Sequence, residues 1–153
     1  MLDLIIKNGS CYIDKDLKDQ DIAIKDGKII KIGKIDNEAK EVFDAKGLTV
    51  LPGCIDTQTH FREPGSTDTE DLHSGSRAAI VGGITSVFEM PNTNPPTSTK
   101  VEFQKKLDLA KNRMYCNYAF YFGATADNAN ELADLVNLEG CCGIKLFAGS
   151  STG

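Results

Sequence analysis

From residue 48 onward, apolar runs with β character recur about every thirty residues, and segments with helix signals separate them. The runs are LTVLPGCID, ITSVFEM, CNYAFYF and GIKLF. Strands that alternate with helices form a parallel sheet with the helices packed outside it, because each parallel connection must cross from one end of the sheet to the other. The order βαβαβαβ therefore predicts an α/β fold, which is either an open doubly wound sheet or part of a (β/α)8 barrel.

Helices are predicted in the three intervals between these runs. The second interval has the clearest start, because Thr99 and Glu102 have the spacing of a capping box. The first helix ends at a Gly-Gly pair, which is the usual position of glycine after a helix, and the third has only a weak start at Asn128. The predicted helices span residues 68–82, 99–111 and 128–136.

Residues 1–49 predict a separate small β domain, and residues 50–153 a second domain. The first part contains the runs LDLIIK, DIAIK and KIIKIG. Asp26-Gly27 joins the last two, and this pair is the strongest short-range hairpin signal. We expect a small antiparallel sheet whose strands are too few and too short to be stable alone, so that it needs partner strands from elsewhere.

Composition excludes several classes of function. The chain is 41% hydrophobic and 25% charged, with a formal net charge of -5, and its lysines are scattered, so it offers no basic surface for nucleic acid. No apolar stretch approaches the roughly 20 residues that cross a bilayer, and the N-terminus lacks a signal peptide. An odd number of cysteines without C-x-x-C spacing is typical of reduced thiols. We expect small-molecule chemistry in the cytoplasm, with no membrane or nucleic-acid partner.

Polar residues of chemical interest follow the ends of successive predicted strands. His60 and Arg62 follow the first strand, Asn92 and Asn94 follow the second, and Lys145 lies in the fourth. In both candidate folds the active site lies at the carboxyl ends of the strands, and the barrel draws on many strands at once. The sequence therefore predicts a functional site that these residues share.

The segment DTQTHFR contains an incomplete metal motif. In an extended chain, residues two apart point to the same side, so Asp56, Gln58, His60 and Arg62 are expected to share one face. Two histidines at this spacing could reach one zinc ion, but Gln58 occupies the first position. A single histidine is more often a hydrogen-bonded structural residue than a ligand. Both interpretations of His60 stay open on these residues alone.

Three motifs in order carry a family resemblance: PGCIDTQTHFREPG, GGITSVFEMPNTNPPT and GIKLFAGSSTG. They resemble the dihydroorotases of the amidohydrolase superfamily, together with the related allantoinases and hydantoinases, and REPG and PNTNP are most similar to dihydroorotase. The resemblance implies a zinc-dependent hydrolase with one or two ions on a (β/α)8 TIM barrel, preceded by strands of a small β-sandwich. Such an enzyme interconverts dihydroorotate and N-carbamoyl-L-aspartate in pyrimidine biosynthesis.

The resemblance also implies roles for individual residues. His60 carries over as a metal ligand, whereas Gln58 occupies a ligand position with a different residue. Arg62 and Asn94 match the residues that hold the substrate carboxylate, and a planar guanidinium suits that task. Lys145 matches a lysine that many members carboxylate so that it bridges two metal ions, although some bacterial members have aspartate there. The alternative for Lys145 is a packed stem with its ammonium in solvent.

The remaining catalytic parts of the family, two histidines and a general-base aspartate, belong to later strands, so no catalytic residue is assigned here. We expect an N-terminal portion of a longer protein, or a chain completed by a second chain. The 153-residue chain alone is expected to bind zinc weakly and to be inactive. Two alternatives stay open for the intact protein: a catalytically silent scaffold for aspartate transcarbamoylase, which Gln58 supports, or an allantoinase or hydantoinase. The resemblance also implies a homodimer.

Overall fold

The computed structural model of the protein describes residues 1–149. The chain divides into two compact units, with the division between Pro52 and Gly53. The first unit is a mixed β-sheet, and the second is a parallel sheet whose strands alternate with helices. The predicted α/β fold class is confirmed. Within residues 1–149, no helix has the length and apolar character needed to cross a bilayer.

The first unit is built around a long central strand. β1 pairs antiparallel with β2, and β2 with β3. Asp26 and Gly27 form the predicted hairpin turn, with φ of 51° and 71°, as a turn that follows the strand twist requires. The prediction of a wholly antiparallel sheet is wrong, because β4 and β5 pair in parallel with β1. The strands are β1 (Leu2–Ile13), β2 (Asp16–Lys25), β3 (Lys28–Gly33), β4 (Ala39–Asp44) and β5 (Thr49–Val50).

The second unit has four strands in chain order, β6-β7-β8-β9, and every neighbouring pair is parallel. Sequential parallel strands with intervening helices are consecutive β/α units. The run LTVLPGCID is not one strand: residues 49–50 pair with β1, whereas β6 begins at Cys54, after the Pro52-Gly53 break. The strands are β6 (Cys54–Thr59), β7 (Ile84–Glu89), β8 (Asn117–Gly123) and β9 (Cys141–Lys145).

The helices are α1 (Leu72–Val81), α2 (Lys100–Ala110) and α3 (Leu132–Leu135), with a 3-10 turn at Ala129–Glu131. The first helix starts later than predicted, because Asp71 and Ser74 form its capping box. The second begins as predicted, since the Thr99 hydroxyl accepts the backbone N–H of Glu102 at 3.1 Å. The third is shorter than predicted, because Asn128 donates instead to the carbonyls of Ser98 and Gly123.

The main core lies between the parallel sheet and its helices. Phe103 of α2 packs on Phe122 of β8 with ring centroids 5.7 Å apart. Burying aromatic side chains of this size supplies much of the free energy that holds a helix layer on a sheet. The buried members are Phe61, Leu72, Val87, Phe103, Ala110, Cys116, Phe120, Phe122 and Leu135.

A charged pair is buried within this layer. Glu89 at the end of β7 forms an ion pair with Lys106 of α2, and neither side chain is more than 1% exposed. Lys106 Nζ also donates to the Met90 carbonyl at 3.1 Å and lies 5.2 Å from the ring centroid of Phe120. Burial raises the pKa of Glu89 to about 8, although the positive charge of Lys106 opposes the rise. Burial likewise lowers the pKa of Lys106, against the attraction of Glu89.

We predict that Lys106→Met makes stability depend on pH. The paired side chains together hold one proton near neutrality, folded or unfolded, so the pair contributes little pH dependence. Without Lys106, buried Glu89 takes up a proton on folding, because burial raises its pKa from the ordinary value of 4.5. The folded state then binds more protons than the unfolded state above that pH. Stability should therefore fall as pH rises, by up to about 1.4 kcal/mol per pH unit.

Urea unfolding at several pH values between about 5 and 8 measures this slope. At the alkaline end, we expect the variant to be destabilised by about 3–5 kcal/mol, the usual cost of leaving a buried charge unpaired. Lys105→Met is the control, because Lys105 is exposed on the same helix. Equal pH slopes for Lys106→Met and the unmodified protein would contradict the prediction.

Candidate functional site

Two loops meet at the carboxyl ends of β6 and β7, residues 60–65 and 90–97. The Met90 N–H donates to the Thr59 carbonyl at 2.9 Å, and the Asn94 N–H donates to the Pro64 carbonyl at 3.0 Å. These bonds bring together the segments that carry Arg62 and Asn94, which are two of the residues predicted to share a site. Both of these side chains are exposed.

His60 follows the last residue of β6 and is half-buried. Its Nδ1 atom lies 2.9 Å from Oδ1 of Asn92, which follows β7. An amide oxygen only accepts hydrogen bonds, so Nδ1 donates this bond, and in the neutral ring Nε2 then keeps its lone pair. A histidine held in this way is satisfied structurally, and it is also oriented as metal-bound histidines are by their second partner. The role of His60 as a ligand remains a prediction.

Gln58 is exposed, and its backbone N–H donates to the carboxylate of Asp56 at 2.9 Å. The expectation of one shared strand face for Asp56, Gln58, His60 and Arg62 assumed a regular strand along the whole segment. That assumption is wrong. The pairing with β7 shifts register between Asp56 and Thr59, and β6 ends at Thr59. Strict alternation therefore does not extend along the segment.

Lys145 is the last residue of β9 and is half-buried. Its Nζ lies 5.0 Å from the ring centroid of Phe147, which is a cation–π distance. Within residues 1–149, no three His, Cys, Asp or Glu side chains are grouped as a metal site requires. Catalytic zinc usually has three protein ligands, so a zinc ion at His60 would need ligands beyond those that the described residues bring together.

Sequence reasoning missed the partners that support these residues. Asn92 was a strand-end candidate without a role, and nothing in the local sequence linked it to His60. Glu63 is only 6% exposed and pairs with Arg113, fifty positions along the chain. No sequence signal marked Glu63, because its burial next to exposed Arg62 is visible only in the structure.

Gly65 allows the two loops to approach closely. Its φ is +119°, and a Cβ atom there would lie 2.8 Å from Asn94 Cβ and 2.9 Å from the Asn94 carbonyl oxygen. Both distances are shorter than ordinary van der Waals contact. Any other residue at position 65 would therefore push the loops apart.

We predict that Gly65→Ala lowers the free energy of unfolding more than Gly27→Ala does. Gly27 also has positive φ, at +71°, but a Cβ atom there would have nothing within 4 Å. The control should cost about 1–2 kcal/mol for the backbone alone, and Gly65→Ala about 1–3 kcal/mol more for the overpacking. Denaturant unfolding of both variants measures the difference. Equal losses would show that the loops yield without cost.

We also predict that neutral His60 is protonated at Nδ1, and that Asn92→Leu removes this preference. Long-range ¹H–¹⁵N NMR spectra distinguish the two ring tautomers. His73 is the internal control, because it is exposed and its Nε2 lies 3.3 Å from the Tyr115 hydroxyl, away from Asn92. An Nε2-protonated His60 in the unmodified protein would refute the assignment.

Comparison with known proteins gives a consistent result. Residues 49–141 match the sequence profile of the amidohydrolase family. The chain is 42% identical over 146 residues to allantoinases of Escherichia coli O1:K1 and O81, which covers 95% of this chain and 32% of theirs.

Among solved structures, L-hydantoinase from Arthrobacter aurescens matches with a TM-score of 0.81 at 34% identity, over 88% of this chain and 31% of that one. D-hydantoinase from Bacillus sp. AR9 matches with a TM-score of 0.82 at 27% identity, over 96% of this chain and 33% of that one. The chain thus spans about a third of the length of these relatives. Since the family match covers more than half of its residues, the chain belongs to the amidohydrolase family.

Proposed function

We propose that the whole protein hydrolyses the ring of a cyclic amide, and that an allantoin- or hydantoin-type ring is the first candidate substrate. The similar proteins carry the names allantoinase and hydantoinase. They favour this alternative over dihydroorotase, which the REPG and PNTNP segments suggested. The chain spans only about a third of these relatives, so the activity of the whole protein rests on inference.

The observation that carries the proposal is the junction of the two loops at the carboxyl ends of β6 and β7. His60 and exposed Arg62 lie on the first loop, and hydrogen bonds join that loop to the segment with Asn92 and Asn94. The guanidinium of Arg62 can donate two parallel hydrogen bonds to oxygens on a ring substituent. His60 offers an unshared Nε2 lone pair to a metal ion or a proton. These groups can bind and orient a ring that carries carbonyl or carboxylate oxygens.

Dihydroorotate remains a second candidate because of Arg62 and Asn94. A bidentate guanidinium matches a carboxylate better than it matches a single carbonyl oxygen, and dihydroorotate has a carboxylate that an unsubstituted hydantoin lacks. The exposure of Arg62 and the bond from the Asn94 N–H to Pro64 are compatible with that use. The homodimer also remains a proposal.

Parallel assays of the whole protein, supplied with zinc, separate these functions. We expect the highest kcat/KM with allantoin or hydantoin. A higher value with dihydroorotate would instead select the second candidate. If no ring is opened and no zinc is retained, the proposal fails and the silent scaffold for aspartate transcarbamoylase is favoured. Gln58 makes that outcome physically reasonable, because an amide oxygen is a poorer zinc donor than imidazole.

We predict that Arg62→Met raises KM for dihydroorotate by about 10- to 100-fold, which corresponds to the loss of a charged hydrogen-bonded contact. Hydantoin, which has no carboxylate, should change by less than about threefold. The control is Arg77→Met, since Arg77 is exposed on α1. Steady-state kinetics with both substrates measure the difference. Equal changes for both would mean that Arg62 does not recognise the carboxylate.

A further inference from the structure

We propose that Glu63 and Arg113 are positioning residues that fix the loop carrying Arg62, and that they thereby set the affinity of the site for cyclic amides with oxygen-bearing substituents. This inference rests on the proposed function, since it assumes that Arg62 contacts the substrate. It concerns a pair of residues to which the motifs assign no role.

Glu63 is buried directly beside exposed Arg62 and makes three hydrogen bonds. Its Oε1 accepts from Arg113 Nη1 at 2.8 Å, and its Oε2 accepts from Arg113 Nη2 at 3.1 Å. Oε2 also accepts the backbone N–H of Leu72 at 2.9 Å, at the start of α1. A bidentate pair with a third bond fixes both the position and the plane of the carboxylate.

Arg113 is itself held from two further directions. Its Nη1 donates to the Leu109 carbonyl at 3.0 Å, in the last turn of α2, and its Nη2 lies 3.8 Å from the carboxylate of Asp71, the N-cap of α1. The pKa of Arg113 is raised, and the hydrogen bond to Glu63 is the main cause. The pair therefore ties the loop after β6 to the first turn of α1 and the last turn of α2.

Arg62 lies between two buried neighbours. Phe61 packs in the main core, and Glu63 is bound to Arg113. With the residues on both sides held inward, the side chain of Arg62 is left on the exposed side. On the far side of Glu63, the Pro64 carbonyl accepts the Asn94 N–H. A shift of Glu63 would move Arg62 relative to the Asn94 loop.

Stability alone is a weak reason for such a pair. The Glu63 carboxylate must be desolvated to form the pair, while the side chain of Arg113 is 36% exposed and solvent screens its charge, so the pair adds little net stability. What the pair adds here is a fixed direction for the loop. A binding group held in place before the substrate arrives loses less conformational freedom on binding, which increases affinity.

A double-mutant cycle on the whole protein tests the proposal. The variants are Glu63→Gln, Arg62→Met and the two combined. The dissociation constants of dihydroorotate, allantoin and hydantoin are measured by calorimetry, which needs no turnover. We expect Glu63→Gln to weaken whichever of dihydroorotate and allantoin binds more tightly by at least about fivefold in the unmodified background, and by less than about twofold once Arg62 is removed. Hydantoin, which has no oxygen-bearing substituent, should change by less than about threefold in either background. A residue that acts only on stability would not show this dependence.

Glu102→Gln is the matched control, because it breaks the exposed pair with Lys105 on α2, away from the loop, and it should leave all three constants unchanged. If Glu63→Gln does not fold, Arg113→Lys enters the same cycle, since it keeps the charge but loses the bidentate geometry. Equal weakening with and without Arg62, or a lower Tm with unchanged binding, would overturn the inference alone. Binding without turnover would overturn only the proposed function. No binding of any of the three by the unmodified protein would overturn both.

Discussion

The contact between the loop after β6 and the loop after β7 is the constraint on which the candidate site depends. Two backbone hydrogen bonds join the loops, from Met90 to Thr59 and from Asn94 to Pro64. Gly65 makes the approach possible, because a Cβ atom there would collide with Asn94. Parallel neighbours place their carboxyl ends at one edge of the sheet, so the fold supplies the proximity and the loops supply the close fit.

Two ion pairs support this junction from the helix side. Lys106 of α2 binds Glu89 and the Met90 carbonyl, where the second loop begins. Arg113, just beyond the same helix, binds Glu63 in the first loop. Helix α2 thus holds both loops, although it contributes none of the predicted substrate or metal residues. Desolvation is costly for the buried pair of Glu89 and Lys106, and solvent screens the partly exposed Arg113, so we interpret both pairs chiefly as fixing geometry rather than adding stability.

One short segment carries both predicted functions: Gln58 and His60 occupy the predicted metal positions, and Arg62 the predicted substrate position. Asn92 binds Nδ1 of His60 and orients the ring as a second partner orients a metal-bound histidine, and the ligand role of His60 is a prediction. Gln58 stands where the resemblance implies an imidazole, and an amide oxygen there would be a poorer zinc donor, whereas the role proposed for Arg62 does not depend on it. Membership of the amidohydrolase family is therefore compatible with a site in which the predicted substrate residues Arg62 and Asn94 are present and the predicted metal ligands are incomplete within residues 1–149. Metal content and substrate preference in the whole protein become the decisive measurements.

The sequence by itself determined the features that depend on a few neighbouring residues. These include the alternation of strands and helices, the hairpin at Asp26-Gly27 and the start of α2 at Thr99. Only the tertiary structure decided the parallel pairing of β4 with β1, the division of residues 48–56 between two sheets, and the partners of His60 and Glu63. Local signals set the conformation of a short segment, whereas these pairings join residues about 30 to 50 positions apart, and packing between elements selects them.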